Sequence, residues 1–293
     1  MAVLVIVLMQ YMISAKAGLI NHVDGQANVR LHEQVPVGSV IQTGPNSRVE
    51  VLLNPGSFLR LDENSAAVLD SVELTNIALR LISGTALVEA ADIDKSAPIS
   101  ITAGNLRAFI VSSGLYRLYG DTAEVLDGKL QTTDSSLTIK SGRQITAGGG
   151  RYEESKIPLN AQTDAFDLWS RQRSSELARA NAFARNGYSS SGPYGSGFTN
   201  AAVWMYSPLL SGFTFIPGRN YRSYYGYTFV PLFVSTPHTV TRSPNRSPVQ
   251  SSRTRTSRPP SATTRSPAPR PHPTGRGGVR QGHSGRGHAG GRH

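Results

Sequence analysis

The chain has 293 residues, enough for one or two domains with additional tails, since a domain commonly holds about 150 residues. It contains no Cys, which excludes disulfide bonds, thiol catalysis and Cys-ligated zinc. The net charge is +11, but Glu176 is the last acidic residue, so residues 1–176 carry a net charge of −4 and residues 177–293 one of +15. The charge distribution therefore predicts a mildly acidic body joined to a strongly basic second half.

The first 17 residues have the pattern of a secretory signal peptide. Residues 2–9 are uninterrupted apolar, and Ala15-Lys16-Ala17 has the small-x-small pattern of a signal-peptidase site. A helix over residues 2–13 would span about 18 Å, short of the roughly 30 Å hydrocarbon core of a bilayer. We therefore expect cleavage after Ala17 and a periplasmic or secreted location in the cell envelope. A buried first strand and an uncleaved anchor are the alternatives.

Residues 18–150 have the pattern of an all-β body. Apolar and polar residues alternate in short runs, as in residues 48–53 and 58–62, and turn residues such as Asp24-Gly25 and Asp127-Gly128 separate these runs every eight to twelve positions. No helical period is present there. This spacing predicts an all-β fold with many short strands, arranged as a closed sandwich or as a solenoid.

Two consecutive runs within this body resemble the FecR-domain family. They are GSVIQTGPNSRVEV, from Gly38 to Val51, and GSFLRLDENS, from Gly56 to Ser65. Family members repeat a G-x-x-I-x-T-G-x-x-S-R-x-E-x block followed by G-S-x-L-R-L-x-E-N-S. The resemblance covers about residues 18–150. It departs from the family at 102–104, where Thr-Ala-Gly replaces Thr-Pro, and at 113–118, where SGLYRL replaces a G-T-x-F-R-V block.

The resemblance implies a FecR-like β-module and a partner rather than a substrate. FecR proteins relay a signal from an outer-membrane transporter to a cytoplasmic sigma factor, for which they use an N-terminal cytoplasmic domain and a membrane span. This chain shows neither pattern ahead of its β-body. We therefore expect a periplasmic or secreted module without the cytoplasmic anti-sigma region, which contacts an envelope protein or a glycan.

A helical period follows the glycines at 148–150, which we take as the end of the β-body. Within residues 151–187, a helix is predicted over Thr163–Arg185, capped by Thr163 or Asp164 and stopped by Asn186-Gly187. Its apolar face comprises Phe166, Trp169, Leu177, Ala180 and Ala184, and the residues predicted outside that face are Arg171, Arg173, Glu176 and Arg179. The helix either docks on the β-body or binds a partner.

The remaining sequence consists of an aromatic segment and a basic tail. Residues 188–237 are rich in aromatic and Gly residues, and they either pack over a sheet or form an exposed aromatic surface. Residues 238–293 contain 11 Arg, no acidic residue and no aromatic residue. A segment of this composition cannot bury enough apolar area to offset its ordering entropy, so we expect a disordered tail.

No pattern of catalytic, cofactor-binding or metal-binding residues is found, and we predict that the chain is not an enzyme. It lacks the G-x-S-x-G, H-E-x-x-H, Walker and dinucleotide-binding motifs. His22 and His32 fall in predicted strands or turns, where a structural role is expected. The four carboxylates next to predicted turns are expected to solvate loops; they are Asp62, Glu63, Asp121 and Glu124. The tail histidines His272, His283, His288 and His293 lack the spacing of a metal site.

Three functions remain open from the sequence. The first is a non-enzymatic envelope protein whose β-module binds a protein or glycan, possible roles being envelope signalling or surface attachment. The second is a polyanion-binding or nucleic-acid-binding protein acting through the tail, and the third is a hydrolase with an unrecognised carboxylate pair. The predicted polyanion-binding residues are Arg242, Arg246, Arg253, Arg255, Arg258, Arg265, Arg270, Arg276, Arg280, Arg286 and Arg292.

Overall fold

A computed structural model describes residues 12–13, 17–158, 164–187 and 202–232. The chain divides into two units, residues 1–237 and residues 238–293. The second unit, with the predicted disordered tail and its eleven arginines, lies outside the described residues. The predictions for residues 188–201 also lie outside them.

The first unit holds twenty strands and one helix within the described ranges. In chain order they are β1 (Met12–Ile13), β2 (Leu19–Asp24), β3 (Val40–Gln42), β4 (Arg48–Leu52), β5 (Phe58–Leu61), β6 (Ala66–Glu73), β7 (Asn76–Ser83), β8 (Thr85–Ala90), β9 (Ile99–Ala103), β10 (Leu106–Ile110), β11 (Gly114–Tyr119), β12 (Thr122–Asp127), β13 (Lys129–Thr132), β14 (Thr138–Lys140), β15 (Arg143–Gly148), β16 (Arg151–Lys156), α1 (Ala165–Gly187), β17 (Val203–Ser207), β18 (Gly212–Ile216), β19 (Tyr221–Arg222) and β20 (Thr228–Phe229).

Two large sheets form the body. The eight-stranded sheet has the order β16-β15-β12-β11-β8-β5-β4-β2, and the seven-stranded sheet has the order β14-β13-β10-β9-β7-β6-β3. Neighbouring strands are antiparallel except β7 and β9, which are parallel. The arrangement is sandwich-like, which confirms the predicted all-β fold with many short strands followed by one helix.

The core lies between the two sheets, where the apolar positions of the alternating runs meet. Val51, Leu59 and Val88 of the eight-stranded sheet are fully buried there, as are Ile101 and Ala108 of the seven-stranded sheet. Successive side chains of a strand point to opposite faces, so every second residue reaches this core. The residues between them form the outer faces of the two sheets.

The β-body extends past the glycines at 148–150, contrary to the prediction that it ends there. Gly148 pairs with Arg151, and strand β16 continues the eight-stranded sheet to Lys156. Gly149 and Gly150 have φ values of 57° and 74°, as a two-residue hairpin turn with positive φ at both positions requires. The glycines make a tight turn, and residues 151–156 belong to the sheet instead of a linker.

The predicted signal peptide falls mostly on residues outside those described. Residues Met12 and Ile13 form β1, which pairs with Met205 and Trp204 of β17. Ala17 is fully buried in the core, and its N–H donates to the carbonyl oxygen of Val72 at 3.0 Å. Cleavage after Ala17 stays a prediction.

Helix α1 and residues 202–232 lie on the outer side of the eight-stranded sheet, and we call residues 164–187 and 202–232 the cover. Phe166 packs on Leu87 and Leu115 of the sheet, so α1 docks on the β-body, the first of its two predicted roles. The hairpin β17–β18 adds Trp204 and Phe215, which pack with Phe58. Within the described ranges, no helix combines the length and the hydropathy that a membrane span requires.

The structure corrects the predicted position of one charged residue of the helix. Arg173, predicted to lie outside the apolar face, is buried, with 4% of its side chain exposed. It lies seven residues after Phe166 and four before Leu177, so the helical repeat of 3.6 residues places all three on one face. The docked face of α1 is therefore partly ionic.

Candidate functional site

A row of polar residues crosses the outer face of the eight-stranded sheet beneath the cover. Because these residues alternate with core residues along their strands, the register places them side by side. The consecutive partners across the sheet are His22, Glu50, Arg60, Leu87, Arg117, Glu124 and Gln144, of which Leu87 is the one apolar member. Glu50 is the glutamate of S-R-V-E-V and Arg60 the arginine of L-R-L, within the two runs that resemble the FecR family.

Four charged side chains of this region form a buried ionic cluster, which consists of Glu50, Arg60, Glu89 and Arg173. Arg60 Nε donates to Glu50 Oε2 at 2.9 Å, and Arg60 Nη1 donates to Glu89 Oε2 at 2.6 Å. Arg173 Nη2 of helix α1 donates to Glu50 Oε1 at 3.0 Å. No member has more than 4% of its side chain exposed. The cluster holds two positive and two negative charges, and Arg173 also pairs with the partly exposed Glu176 at 2.5 Å.

Hydroxyl and amide groups complete the cluster. Arg60 Nη1 donates to Ser170 Oγ at 2.8 Å, and Ser174 Oγ donates to Glu89 Oε2 at 2.5 Å. Asn21 Nδ2 donates to Glu50 Oε1 at 2.9 Å and to the carbonyl oxygen of Phe213 at 3.0 Å. Since both serines belong to α1 and Phe213 belongs to β18, the cluster ties two parts of the cover to the sheet.

The electrostatics of the cluster favour the charged forms of Glu50 and Arg60. Burial by itself raises the pKa of Glu50, but the charges of Arg173 and Arg60 outweigh it and lower the pKa to about 2. Burial lowers the pKa of Arg60, but the carboxylates of Glu89 and Glu50 outweigh it and raise the pKa. Burial and the charge of Arg173 lower the pKa of His22. The ion pair between Glu50 and Arg173 and the hydrogen bonds of Ser170 and Ser174 hold α1 on the sheet.

A second ion pair holds the start of the helix. Arg117 donates to both carboxylate oxygens of Asp164, at 2.6 and 3.0 Å. Asp164 Oδ1 also accepts the N–H of Asp167 at 2.8 Å, so Asp164 is the cap predicted from the sequence. Burial raises the pKa of Asp164, but the hydrogen bonds from Arg117 and Asp167 outweigh it and lower the pKa.

The remaining predicted polar residues are dispersed. Asp62 accepts from Arg48 at 2.9 Å, and Glu63 accepts the N–H of Asn46 at 2.6 Å, both next to turns as expected. His32 contacts the carbonyl oxygen of Ser211 through Nε2 at 2.7 Å.

Asp121 lies next to a turn as expected, but Glu124, which was expected to solvate a loop, is buried in strand β12 with 2% of its surface exposed. Asp121 accepts the N–H of Asn105 at 2.6 Å. Glu124 lies in the polar row and accepts the hydroxyl of Tyr119 at 3.0 Å, and burial raises its pKa. Within the described ranges, no group of three or more His, Asp or Glu residues is arranged to hold a metal ion.

One open cleft lies at an end of the sandwich, where three turns meet. Its volume is about 410 Å³, and its lining residues are Asn105, Asp134, Ala147, Gly148, Gly149, Gly150, Arg151 and Tyr152. Asn105 belongs to the turn β9–β10, Asp134 to the turn β13–β14, and residues 148–152 to the hairpin β15–β16. No sequence motif marks this cleft, because its lining residues are far apart in the chain.

Together these features define the class of the protein as a two-sheet β-domain whose eight-stranded sheet is covered by a helix and a hairpin. Residues 39–143 match the family model of the FecR protein. The match confirms the resemblance to the FecR family over these residues. Glu50, Arg60, Glu89 and Arg117 fall inside the matched range, and the cover falls outside it.

Comparison with solved structures yields a protein from Parabacteroides distasonis ATCC 8503, described as a candidate anti-sigma factor and solved at 2.50 Å and 1.65 Å resolution. This chain is similar to those two structures with sequence identities of 13% and 12% and a TM-score of 0.34 in both cases. The similarity covers 40% of this chain and 59% of that protein's chain. No curated protein matches the sequence.

Proposed function

We propose that this chain is a non-enzymatic module of the cell envelope or the secreted fraction, which binds an envelope protein or glycan through its FecR-type domain. The FecR match supports a regulatory or binding role, because FecR proteins act in envelope signalling rather than in catalysis. The internal pairing of the ionic cluster supports the same view. Its charged groups are buried under the cover, where they stabilise the fold instead of meeting a substrate.

The main support for this proposal comes from three polar groups in the cleft that have no hydrogen-bond partner among the described residues. The amide of Asn105, the guanidinium of Arg151 and the hydroxyl of Tyr152 make no hydrogen bond or ion pair within the described part of the chain. They come from two different sheets and converge on one concave surface at the loop end of a rigid β-domain, which is where binding residues concentrate. An amide, a guanidinium and a phenol can together recognise hydroxyl and carboxylate groups of a glycan or a polar peptide.

The test compares two double variants of the full chain. R151Q/Y152S removes a basic and an aromatic group from the cleft, and R107Q/F109S removes the same pair of groups from the outer face of the seven-stranded sheet. Both are tested for co-sedimentation with purified cell-wall glycan and for retention on immobilised envelope proteins. We expect the cleft variant to lose one of these interactions and the control to keep both. Equal binding by the cleft variant and the unaltered chain in both assays contradicts the proposal.

The second candidate function is polyanion binding by the tail, and one observation favours it specifically. Eleven Arg with no acidic residue form a cationic segment whose guanidinium groups pair with phosphate or carboxylate. If about half of them contact the phosphates of a single-stranded nucleic acid, at about −0.7 per contact, the slope of log K against log salt is about −4. Replacing all eleven by Gln should abolish that slope.

The readout is a salt titration of the full chain against single-stranded DNA and against an anionic envelope polysaccharide. Equal affinity for both polymers indicates unspecific electrostatic binding, whose natural partner is then set by location. Absence of binding at low salt, or binding that salt does not weaken, rejects this candidate. The proposed envelope location is tested separately by cell fractionation and by the intact mass of the recovered protein, since a mass that includes residues 1–17 rejects cleavage.

A further inference from the structure

The side of helix α1 that faces away from the sheet presents two large apolar residues to solvent. Leu168 and Phe183 are each 53% exposed, and they lie on the side opposite Phe166, Arg173 and Leu177, which face the sheet. Phe183 lies fifteen positions after Leu168, and at the rise of an α-helix this separation spans about 22 Å along the axis. We call the face that carries Leu168, Arg171, Arg179 and Phe183 the outer stripe.

The charges along this stripe are positive. Arg171 and Arg179 are exposed, and Arg185 is exposed at the flank of the stripe. Arg179 and Arg185 have no ion pair or hydrogen bond from their side chains within the described residues, and Arg171 lies over the ring of Tyr225 at 5.9 Å. These guanidinium groups are available to an anionic partner.

The acidic residues of the helix do not compensate for these charges. Asp164 pairs with Arg117 and Glu176 with Arg173, while Asp167 is 9% exposed and accepts the hydroxyl of Tyr225. The helix thus directs its carboxylates into internal partners and its unpaired guanidinium groups to the outside. This separation is a property of the docked helix, and the sequence alone does not reveal it.

We propose that the outer stripe is a contact site for an anionic lipid surface, on which α1 lies parallel to the membrane plane. The arginines bind lipid phosphates, and Leu168 and Phe183 enter the boundary between headgroups and acyl chains. Charge complementarity accounts for an anionic partner, and the two half-exposed apolar side chains distinguish lipid from a soluble polyanion, which offers them no apolar environment. The site is separate from the cleft and from the tail arginines of the proposed function.

The strength expected of this site is modest. Each arginine near an anionic membrane contributes about a fivefold gain in affinity, so the stripe by itself gives weak and salt-sensitive binding. If the tail also contacts the surface, the local concentration of the stripe rises and the two contacts reinforce each other. The test therefore separates the two by using the full chain both with its natural tail and with the eleven tail arginines replaced by Gln.

The experiment measures co-sedimentation with vesicles of phosphatidylcholine mixed with phosphatidylglycerol and with vesicles of phosphatidylcholine alone. The stripe variants are L168S/F183S and R171Q/R179Q. The matched controls are V40S/I82S, which alters two exposed apolar residues of the seven-stranded sheet, and R30Q/R107Q, which alters two exposed arginines of the β-body. Circular dichroism and thermal unfolding verify that each variant is folded.

We expect each stripe variant to weaken binding to the anionic vesicles by about tenfold or more, in both tail backgrounds, and both controls to bind like the unaltered chain. The cleft variant R151Q/Y152S should bind like the unaltered chain as well, so this test is independent of the proposed partner of the β-domain. Unchanged vesicle binding by both stripe variants overturns the proposal. An effect of R171Q/R179Q alone, accompanied by an equal loss of binding to single-stranded DNA, also overturns it and indicates a soluble polyanion.

Discussion

The same tripeptide, Leu-Arg-Leu, occurs once in each large sheet, and the two arginines have opposite environments. Arg60 of β5 lies between Leu59 and Leu61, and its side chain is fully buried against Glu50 and Glu89. Arg80 of β7 lies between Leu79 and Leu81, and its side chain is 44% exposed where it pairs with Asp70. In both cases the arginine bonds to a carboxylate ten residues earlier in the chain, on a neighbouring strand.

The comparison shows that the cover, and not the strand pattern, determines whether an outward-facing arginine is buried and which partners it has. All four leucines are buried in the core between the sheets, as the alternation predicts. On the eight-stranded sheet, α1 adds Ser170, Arg173 and Ser174 around Arg60. On the seven-stranded sheet, the pair formed by Arg80 and Asp70 is exposed to solvent. A buried charge requires all its partners, whereas an exposed pair contributes little to stability.

The largest effect is expected for R60M. Removing the guanidinium leaves Glu50 and Glu89 buried beside each other without their shared cation, and loss of one partner of a buried ion pair lowers the free energy of unfolding by about 3–5 kcal/mol. Urea denaturation of the full chain, followed by circular dichroism, measures this change. A loss below about 1 kcal/mol would show that the cluster relaxes or admits water. The buried Arg60 would then contribute no more to stability than the exposed Arg80.

The next effect concerns the pH dependence of stability. The pKa of Glu50 is about 2 in the folded protein against an ordinary value of 4.5, so its ionisation stabilises the fold at pH values above the ordinary pKa. This contribution, of the order of 3 kcal/mol, should be lost as the pH falls from about 4.5 towards 2. Urea midpoints across this range measure it. E50Q should be less stable at neutral pH and should show a flatter profile; an unchanged profile contradicts the assignment.

An intermediate effect is expected for D164A, because Asp164 is half exposed whereas its partner Arg117 is 8% exposed. The substitution removes the helix cap and the partner of Arg117, and the free energy of unfolding should fall by about 1–2 kcal/mol. Hydrogen exchange should show faster opening of α1 than of the sheets. D94A is the control, because it removes an exposed loop carboxylate whose hydrogen bonds within the described residues come from Ser96 alone. Equal effects of the two substitutions would argue against a specific role of Asp164 at the helix start.

The smallest effect is expected for R80M, the matched control for R60M. Both members of the pair are more than 40% exposed, so the free energy of unfolding should change by no more than about 0.5–1 kcal/mol. The contribution of the pair should decrease further at high salt, because exposed charges are screened. If R80M proves as destabilising as R60M in the same urea assay, burial by the cover does not explain the difference between the two arginines.

The strand pattern and the helix were predictable because both depend on short-range periodicity. Alternation places Val51 and Leu59 in the core, and the spacing of Phe166 and Leu177 defines the docked side of α1. The sequence predicts the end of the β-body at Gly149 and Gly150, where the structure has a hairpin, because consecutive glycines suit a linker as well as a tight turn. Strand β16, exposed along most of its length, carries no apolar alternation that would have marked it.

By itself, the sequence determined the all-β class, the FecR resemblance of residues 18–150, the helix and the uneven distribution of charge. Only the tertiary structure decided which charges are buried. The ionic cluster joins Glu50 to Arg173 across 123 residues of chain, and local pattern alone does not specify a contact at that separation. The outer stripe of α1 and the cleft also depend on contacts between distant segments of the chain. The packing of these segments determines which polar groups have internal partners and which stay available to other molecules.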